Sequence, residues 1–217
     1  MHIMEGFLPP FWCVFWYALS APFVIYGAMQ VGKLFKEHPE RKLIMAVCGA
    51  FIFVLSSLKL PSVSGSSSHP TGTGLSAMLF GFTVTSLLST IVLIFQALLM
   101  AHGGITTLGA DVFSMGIVGP AVGFYAFLLM RKFKFGLGPT AFTAAVLADW
   151  ATYLVTSMQL ALAFPGASLW QSFSVFAGIF AITQVPIAIG EGVLIWIFFD
   201  FLSKSRPKLL AECLGGK

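Results

Sequence analysis

The 217-residue chain is 58% hydrophobic and 9% charged, with 12 Lys and Arg against 8 Asp and Glu, and this composition excludes a water-soluble surface. Its apolar runs are about 20 residues long, enough to cross the roughly 30 Å hydrocarbon core of a bilayer, so we predict an all-α polytopic membrane protein. The net charge of +4 comes from short basic loops beside these runs, which indicates membrane orientation and not nucleic-acid binding.

The chain begins Met1-His2-Ile3-Met4-Glu5, and a histidine directly behind a free amino group can chelate a transition metal. The Met1 amine, the His2 amide nitrogen and the His2 imidazole would close a five-membered and a six-membered ring around one ion. Such a site requires Met1 to be retained, and the first ten residues lack the basic region of a cleaved signal peptide. The alternative is a histidine that merely occupies a frayed terminus.

Seven helical segments are predicted from hydropathy and from the placement of basic residues. Clear apolar spans cover 11–32, 43–60, 110–130, 138–163 and 173–202, with a further apolar stretch from 75 to 101. Eleven of the twelve Lys and Arg fall in clusters at 33–42, 131–134 and 204–217, which the positive-inside rule assigns to the cytoplasm. We therefore expect the amino terminus outside and the carboxyl terminus in the cytoplasm.

The same rule requires an even number of crossings between Lys42 and Arg131, whereas plain hydropathy gives three. We resolve this by predicting a short or re-entrant helix at 75–82, followed by a second helix at 84–101. Irregular backbone at membrane depth needs cover from protein or a water-filled cavity. Two of the segments should therefore pack around a polar pocket.

The stretch from Ser62 to Gly74 is rich in Ser, Thr and Gly, which is typical of a flexible external loop. It also contains His69, and Pro70 restricts the backbone before it and so the direction in which the imidazole projects. As a fourth nitrogen ligand His69 would complete a planar set that suits Ni(II), Cu(II) or low-spin Co(II); a surface histidine is the alternative. Hydroxyl partners for its other ring nitrogen are available at Ser66, Ser68, Thr71 and Thr73.

A third histidine, His102, is expected on the same side of the membrane as His69. It would act beside the metal ligands, as a ligand on the route into the site, or as a structural hydrogen-bond partner at a helix end. Ala46 and Ala50 form a small-xxx-small pattern on an apolar span. This pattern permits close approach of another helix, either within the chain or from a partner.

Acidic residues within apolar spans are costly to bury and are functional by default. Asp111 has a structural explanation because it begins its helix, where the dipole favours an anion. Asp200 has another, because Lys204 lies close in sequence. The roles of Asp149 and Glu191 stay open, and neither is assigned as a metal ligand.

Missing motifs narrow the functional classes further. The sequence contains no GxxxxGK[ST] phosphate loop, so the chain is not expected to hydrolyse ATP itself. It contains neither HExxH nor a convincing nucleophile and base pair, which argues against an enzyme. We favour a binding module, with a stand-alone channel or permease as the alternative and an intramembrane enzyme as the third option.

The segments Met1-His2-Ile3-Met4-Glu5-Gly6-Phe7-Leu8-Pro9 and Ser68-His69-Pro70-Thr71-Gly72-Thr73-Gly74 closely resemble those of CbiM. CbiM is the substrate-capture component of energy-coupling-factor cobalt transporters and is related to the nickel component NikM. The resemblance continues through residues 101–109 and 156–163. It implies metal ligands at Met1, His2 and His69, and one extra helix before a six-helix core.

The resemblance also implies partners: a transmembrane coupling protein similar to CbiQ, ATP-binding subunits similar to CbiO, and a small accessory membrane subunit similar to CbiN. Ala46 and Ala50 fall where substrate components commonly contact the coupling protein. The expected substrate is Co(II), destined for cobalamin biosynthesis, with Ni(II) as the alternative and no organic cofactor. We expect one membrane domain over residues 1–217 in a prokaryotic cell membrane, with metal-binding segments at 1–10 and 61–74.

Overall fold

The computed structural model describes residues 2–62 and 65–214, which form mostly helices. The helices in chain order are α1 (Pro10–Glu37), α2 (Arg41–Ser57), α3 (Thr73–Phe80), α4 (Phe82–Met100), α5 (Leu108–Asp111), a π-helix (Val112–Val118), α6 (Gly119–Lys132), α7 (Leu137–Ala163), α8 (Leu169–Ser205) and α9 (Pro207–Leu214). Within the described residues, four helices are long and apolar enough to cross a membrane. They are α1, α4, α8 and the continuous helix Leu108–Lys132, which joins α5, the π-helix and α6. The chain is therefore an all-α membrane protein, as its composition predicts.

The predicted interruption between residues 75 and 101 is present, and it lies at Gly81. Gly81 has a φ of +90°, which is accessible to glycine at little cost, and it separates the end of α3 from the start of α4. Seven of the eight α3 residues, from Thr73 to Leu79, are buried. The short helix is thus covered by protein on all sides, as irregular backbone in a membrane requires.

A small antiparallel sheet, not expected from the sequence, joins the start of the chain to the loop after α2. Its strands are β1 (His2–Ile3), β2 (Leu60–Pro61) and β3 (Ser66–Ser68), in the spatial order β1-β3-β2. The register places His2 opposite Ser67 and Ile3 opposite Ser66. Strands of two or three residues carry no alternating hydrophobic pattern, so this sheet left no recognisable signal.

α6 and α7 pack closely against each other. A Cβ added to Gly119 or Gly123 would lie 2.8 Å from the carbonyl oxygen of Ala148 or Ala144, respectively. Small residues at such positions let two helix backbones approach closely. α9 was not predicted; it packs Leu210 and Cys213 against the hydrophobic core.

Candidate metal site

The first residues of the described chain are held in place through the Ile3 backbone. The Ile3 N–H donates to Asp111 Oδ1 at 2.8 Å, and the Thr107 hydroxyl donates to the Ile3 carbonyl at 2.7 Å. The Ile3 side chain is fully buried in a cluster with Trp16 and Phe180. The segment before α1 is therefore docked into the protein, with His2 directed inward.

Neighbouring residues of this segment are fastened to two loops. Met4 N–H donates to the Gly65 carbonyl at 2.9 Å. The Glu5 carboxylate accepts from the Thr106 N–H at 3.1 Å, and hydrogen bonding to the Thr106 side chain holds the pKa of Glu5 below its usual range. These contacts place the amino-terminal segment against the loops that carry His69 and His102.

Three imidazoles meet where these segments converge. The ligand-capable atoms of His2, His69 and His102 lie within 4.8 Å of one another, and the three residues are only 1%, 0% and 2% exposed. Among the described residues this cluster offers nitrogen donors and no carboxylate or thiolate. Imidazole suits Co, Ni, Cu and Zn ions, whereas Mg(II) and Ca(II) require oxygen ligands.

The ring nitrogens of His2 and His69 face each other at a very short distance. His2 Nδ1 lies 2.5 Å from His69 Nε2, below the range of about 2.7–3.2 Å for ordinary hydrogen bonds from nitrogen. Two nitrogen ligands at right angles, each about 2.0 Å from one ion, would be roughly 2.8 Å apart. The observed separation lies below both values, and it shows that the two ring nitrogens point at each other across a space that no other side chain of the described residues enters as a partner of either nitrogen.

The backbone determines which nitrogen of His69 is available. His69 Nδ1 lies 3.0 Å from the Pro70 carbonyl oxygen, and a carbonyl can only accept, so Nδ1 carries the proton. In the neutral ring Nε2 then has a free lone pair, directed at His2. This arrangement corresponds to the outer hydrogen bond that usually orients a metal-binding histidine.

The sequence predicted a Ser or Thr hydroxyl as the partner of the second His69 ring nitrogen, and the structure shows a backbone carbonyl there instead. Ser68 accepts from Thr183, Thr71 donates to Glu191, and Thr73 donates to Thr71. Ser66 lies buried in β3 opposite Ile3. The partner of the second His69 nitrogen is instead the Pro70 carbonyl, which is close enough because the proline follows directly in the chain.

His102 lies beside the other two histidines and also closes a helix end. Its backbone N–H donates to the Gln96 carbonyl at 3.2 Å and so closes the end of α4. Its ring centroid lies 4.1 Å from that of His2, and its Nε2 lies 2.9 Å from the Ser67 hydroxyl. The side chain thus reaches the cluster while the backbone has a structural task.

Burial keeps the three imidazoles neutral near physiological pH. Desolvation lowers the pKa of His2 and of His69 well below the usual value, and the neighbouring imidazoles lower it further. Burial lowers the pKa of His102 to about 3. Their lone pairs are therefore available to a metal without prior loss of a ring proton.

Gln96, on α4, is a contributor that the sequence analysis missed. Its amide nitrogen donates to the Ser56 hydroxyl at 2.8 Å, which directs the amide oxygen the opposite way, toward His2. Gln96 Oε1 and His2 Nε2 are both buried, and within the described chain neither meets hydrogen-bond geometry with a partner. A polar residue in an apolar helix is a usable signal, but the sequence did not relate it to residue 2.

The remaining predicted residues lie as follows. Met1 is outside the described residues. Asp111 lies at the start of its helix, and its side chain also accepts a hydrogen bond from the Ile3 N–H. Asp200 forms an ion pair with Lys204 at 2.7 Å. Ala46 and Ala50 are exposed on α2, where they line an apolar groove shared with α4.

Comparisons with known proteins find relatives over nearly the whole length of the chain. Residues 2–209 match the family model CbiM, described as the cobalt uptake substrate-specific transmembrane region. A CbiM relative from Methanococcus voltae is 57% identical over 212 residues, which cover 98% of this chain and 95% of that protein. The cobalt transport protein CbiM of Anoxybacillus flavithermus is 55% identical over 217 residues, covering 98% of this chain and 87% of that protein.

The fold also matches solved structures. A crystal structure of a truncated transition metal transporter superposes with a TM-score of 0.84 at 27% identity, covering 94% of this chain and 99% of that one. A second transition metal transporter gives a TM-score of 0.83 at 28% identity, covering 94% of this chain and 93% of that one. The likeness therefore extends over nearly the whole chain.

Proposed function

We propose that this chain, which belongs to the CbiM family of cobalt-uptake substrate-specific transmembrane proteins, captures one Co(II) ion as its transported substrate. The observation that carries the proposal is the 2.5 Å approach of two buried ring nitrogens, His2 Nδ1 and His69 Nε2. The ion would bind there and pass inward unchanged. The chain would do no covalent chemistry.

The full ligand set would be four nitrogens in a plane. The Met1 amine, the His2 amide and His2 Nδ1 would occupy three consecutive corners, because the amide lies between the other two in the chain. His69 Nε2 would then take the corner opposite the amide and next to the His2 imidazole. The short distance between the two imidazoles supports this order.

Nickel is the alternative substrate, because a planar nitrogen field suits Ni(II) at least as well as Co(II). The Irving–Williams order favours Ni(II) in bare affinity. The names of the relatives favour cobalt. Competition between the two ions in a cellular uptake assay separates these possibilities.

For transport, the chain would operate as a multi-pass component of the cell membrane, together with ATP-binding subunits, a coupling membrane protein and a small accessory subunit. We propose that Ala46 and Ala50 contact the coupling protein, since both are exposed beside an apolar groove. The single membrane domain would keep its metal-binding segments, 1–10 and 61–74, outside the cell. The basic clusters at the other helix ends support this orientation.

Metal binding by the purified full chain in detergent tests the proposal. We expect one Co(II) or Ni(II) per chain, retained against excess Mg(II), and loss of that metal in His2→Ala and His69→Ala. His38→Ala is the matched control, because His38 is partly exposed and pairs with Glu40; it should bind as the unaltered chain does. Equal retention in all three variants would contradict the proposed site.

A variant with one residue added before Met1 tests the chelate itself. The added residue displaces the amine from the position that closes the five-membered ring, so we expect metal retention to be abolished with the helical fold unchanged. A stand-alone channel is distinguished in vesicles that contain only this chain. A channel would pass metal without ATP, whereas a capture component should bind it and release little.

A further inference from the structure

A buried pair of carboxyl groups, Asp149 on α7 and Glu191 on α8, lies next to the loop that carries His69. Both residues are 1% exposed, and their carboxyl groups are close enough to influence each other's pKa. Neither belongs to the histidine cluster. Their position in the apolar interior is costly and needs an explanation.

Glu191 accepts hydrogen bonds from three donors on the loop. Its two oxygens accept from the Thr71 N–H at 2.6 Å and the Gly72 N–H at 2.9 Å, and Oε1 also accepts from the Thr71 hydroxyl at 3.1 Å. Three such donors stabilise a carboxylate in its ionised form. Glu191 is therefore the member of the pair whose surroundings favour the charge more.

Asp149 has fewer donors around it. Within the described chain neither of its carboxyl oxygens meets hydrogen-bond geometry with a donor; it faces the Glu191 carboxyl group and the Thr71 N–H, and that N–H already donates to Glu191. Two adjacent buried carboxyl groups cannot both be ionised, because the repulsion is unscreened. With fewer donors around it, Asp149 is the member of the pair that holds a shared proton more readily.

The loop is held from α8 at two further points, both close to His69. Gln184 Nε2 donates to the His69 carbonyl at 3.3 Å, and the Thr183 hydroxyl donates to Ser68 at 2.8 Å. On the opposite side, a Cβ added to Gly72 would lie 3.0 Å from the Ile52 Cα on α2. The backbone after His69 is thus enclosed between α2 and α8.

We propose that the protonated Asp149 and the ionised Glu191 act as one unit that positions the Thr71–Gly72 backbone and, through it, the His69 imidazole. This inference rests on the proposed metal-binding function and adds two positioning residues to it. Neither carboxyl group is a metal ligand. The position of His69 is then set by α8, so a shift of that helix would move the ligand.

Substitutions at the two positions should have unequal effects. Asp149→Asn keeps a donor toward Glu191, so Ni(II) affinity should stay near that of the unaltered chain, whereas Asp149→Ala should weaken it about 10–100-fold. Glu191→Gln offers one acceptor oxygen and turns an NH2 group toward the loop donors, so it should weaken binding by a similar factor. Asp200→Asn is the control, because Asp200 is an exposed carboxylate on the same helix.

Two readouts separate positioning from general damage. The visible absorption of planar Ni(II) should change in Asp149→Ala and Glu191→Gln and return to normal in Asp149→Asn, while thermal unfolding identifies any variant that fails to fold. Thr71→Val is a milder second test, because it removes the hydroxyl that donates to Glu191 and accepts from Thr73 but keeps both backbone donors; it should weaken Ni(II) binding less than Glu191→Gln. Equal binding by Glu191→Gln and the unaltered chain, or equal damage by Asp149→Asn and Asp149→Ala, would overturn the proposal.

Infrared difference spectroscopy tests the proton directly and does not require metal. The unaltered chain at neutral pH should show the carbonyl stretch of a protonated carboxylic acid, and this band should be missing in Asp149→Asn. No difference between the two spectra would overturn the assignment of the proton. Failure of the unaltered chain to bind Ni(II) would instead contradict the proposed function, and the infrared result would still decide the state of Asp149.

Discussion

Proton release on metal binding distinguishes the planar chelate from a site built of imidazoles alone. The amine has a usual pKa of about 7.7–8.0, so near pH 6.5 it is mostly protonated and must lose nearly one proton to bind. The His2 amide must lose another. The three imidazoles lose none, because burial lowers the pKa of each and leaves the ring neutral. We therefore expect about two protons per ion.

This count determines the pH dependence of affinity. Protons compete with the metal, so affinity falls as the pH falls, and two protons correspond to roughly 100-fold per pH unit between about pH 6 and 7, or about 2.7 kcal/mol. Calorimetric titration of Ni(II) into the purified chain, repeated in buffers of different ionisation enthalpy, counts the protons at fixed pH. A count near zero, with affinity flat in this range, would refute the chelate and favour a site of three histidines.

Three further substitutions probe the surroundings of the site. Gln96→Leu removes the acceptor that faces the second nitrogen of His2 and should weaken metal binding about 10–100-fold; an unchanged affinity would contradict that role. Thr107→Val leaves the buried Ile3 carbonyl without its hydroxyl donor, a cost of about 1–3 kcal/mol, so amide hydrogen exchange over residues 2–6 should accelerate; equal protection would show that the contact contributes little. Gly109→Ala should lower thermal stability by about 1–3 kcal/mol, because its Cβ would meet the α1 backbone; an unchanged melting temperature would mean that α1 moves freely aside.

Much of the helical framework could be predicted because a membrane imposes long apolar segments and asymmetric basic loops. The break near Gly81 followed from counting crossings between Lys42 and Arg131, a constraint that acts over a long stretch of chain. Its cause, a glycine with positive φ between two helices, is local. The number of crossings and the conformation of Gly81 therefore both place the break near this residue.

Features that arise only from tertiary contact were not predictable. The strand His2–Ile3 exists because Ser66–Ser68 lies beside it and Asp111 accepts its N–H, and neither contact has a sequence period. For the same reason, the hydroxyl groups that are near His69 in the sequence were wrongly predicted to be hydrogen-bond partners of its ring. In three dimensions Thr71 turns toward Glu191, and Pro70 supplies the oxygen that orients the ring.

X-ray absorption at the metal edge of the Ni(II)-loaded chain tests the central claim most directly. We expect four nitrogen donors at one short distance in a planar field, with two imidazoles among them. The same spectrum should be lost in the variant with a residue added before Met1. Coordination by oxygen or sulfur, a tetrahedral or octahedral geometry, or an identical spectrum in the extended variant would contradict the amino-terminal site.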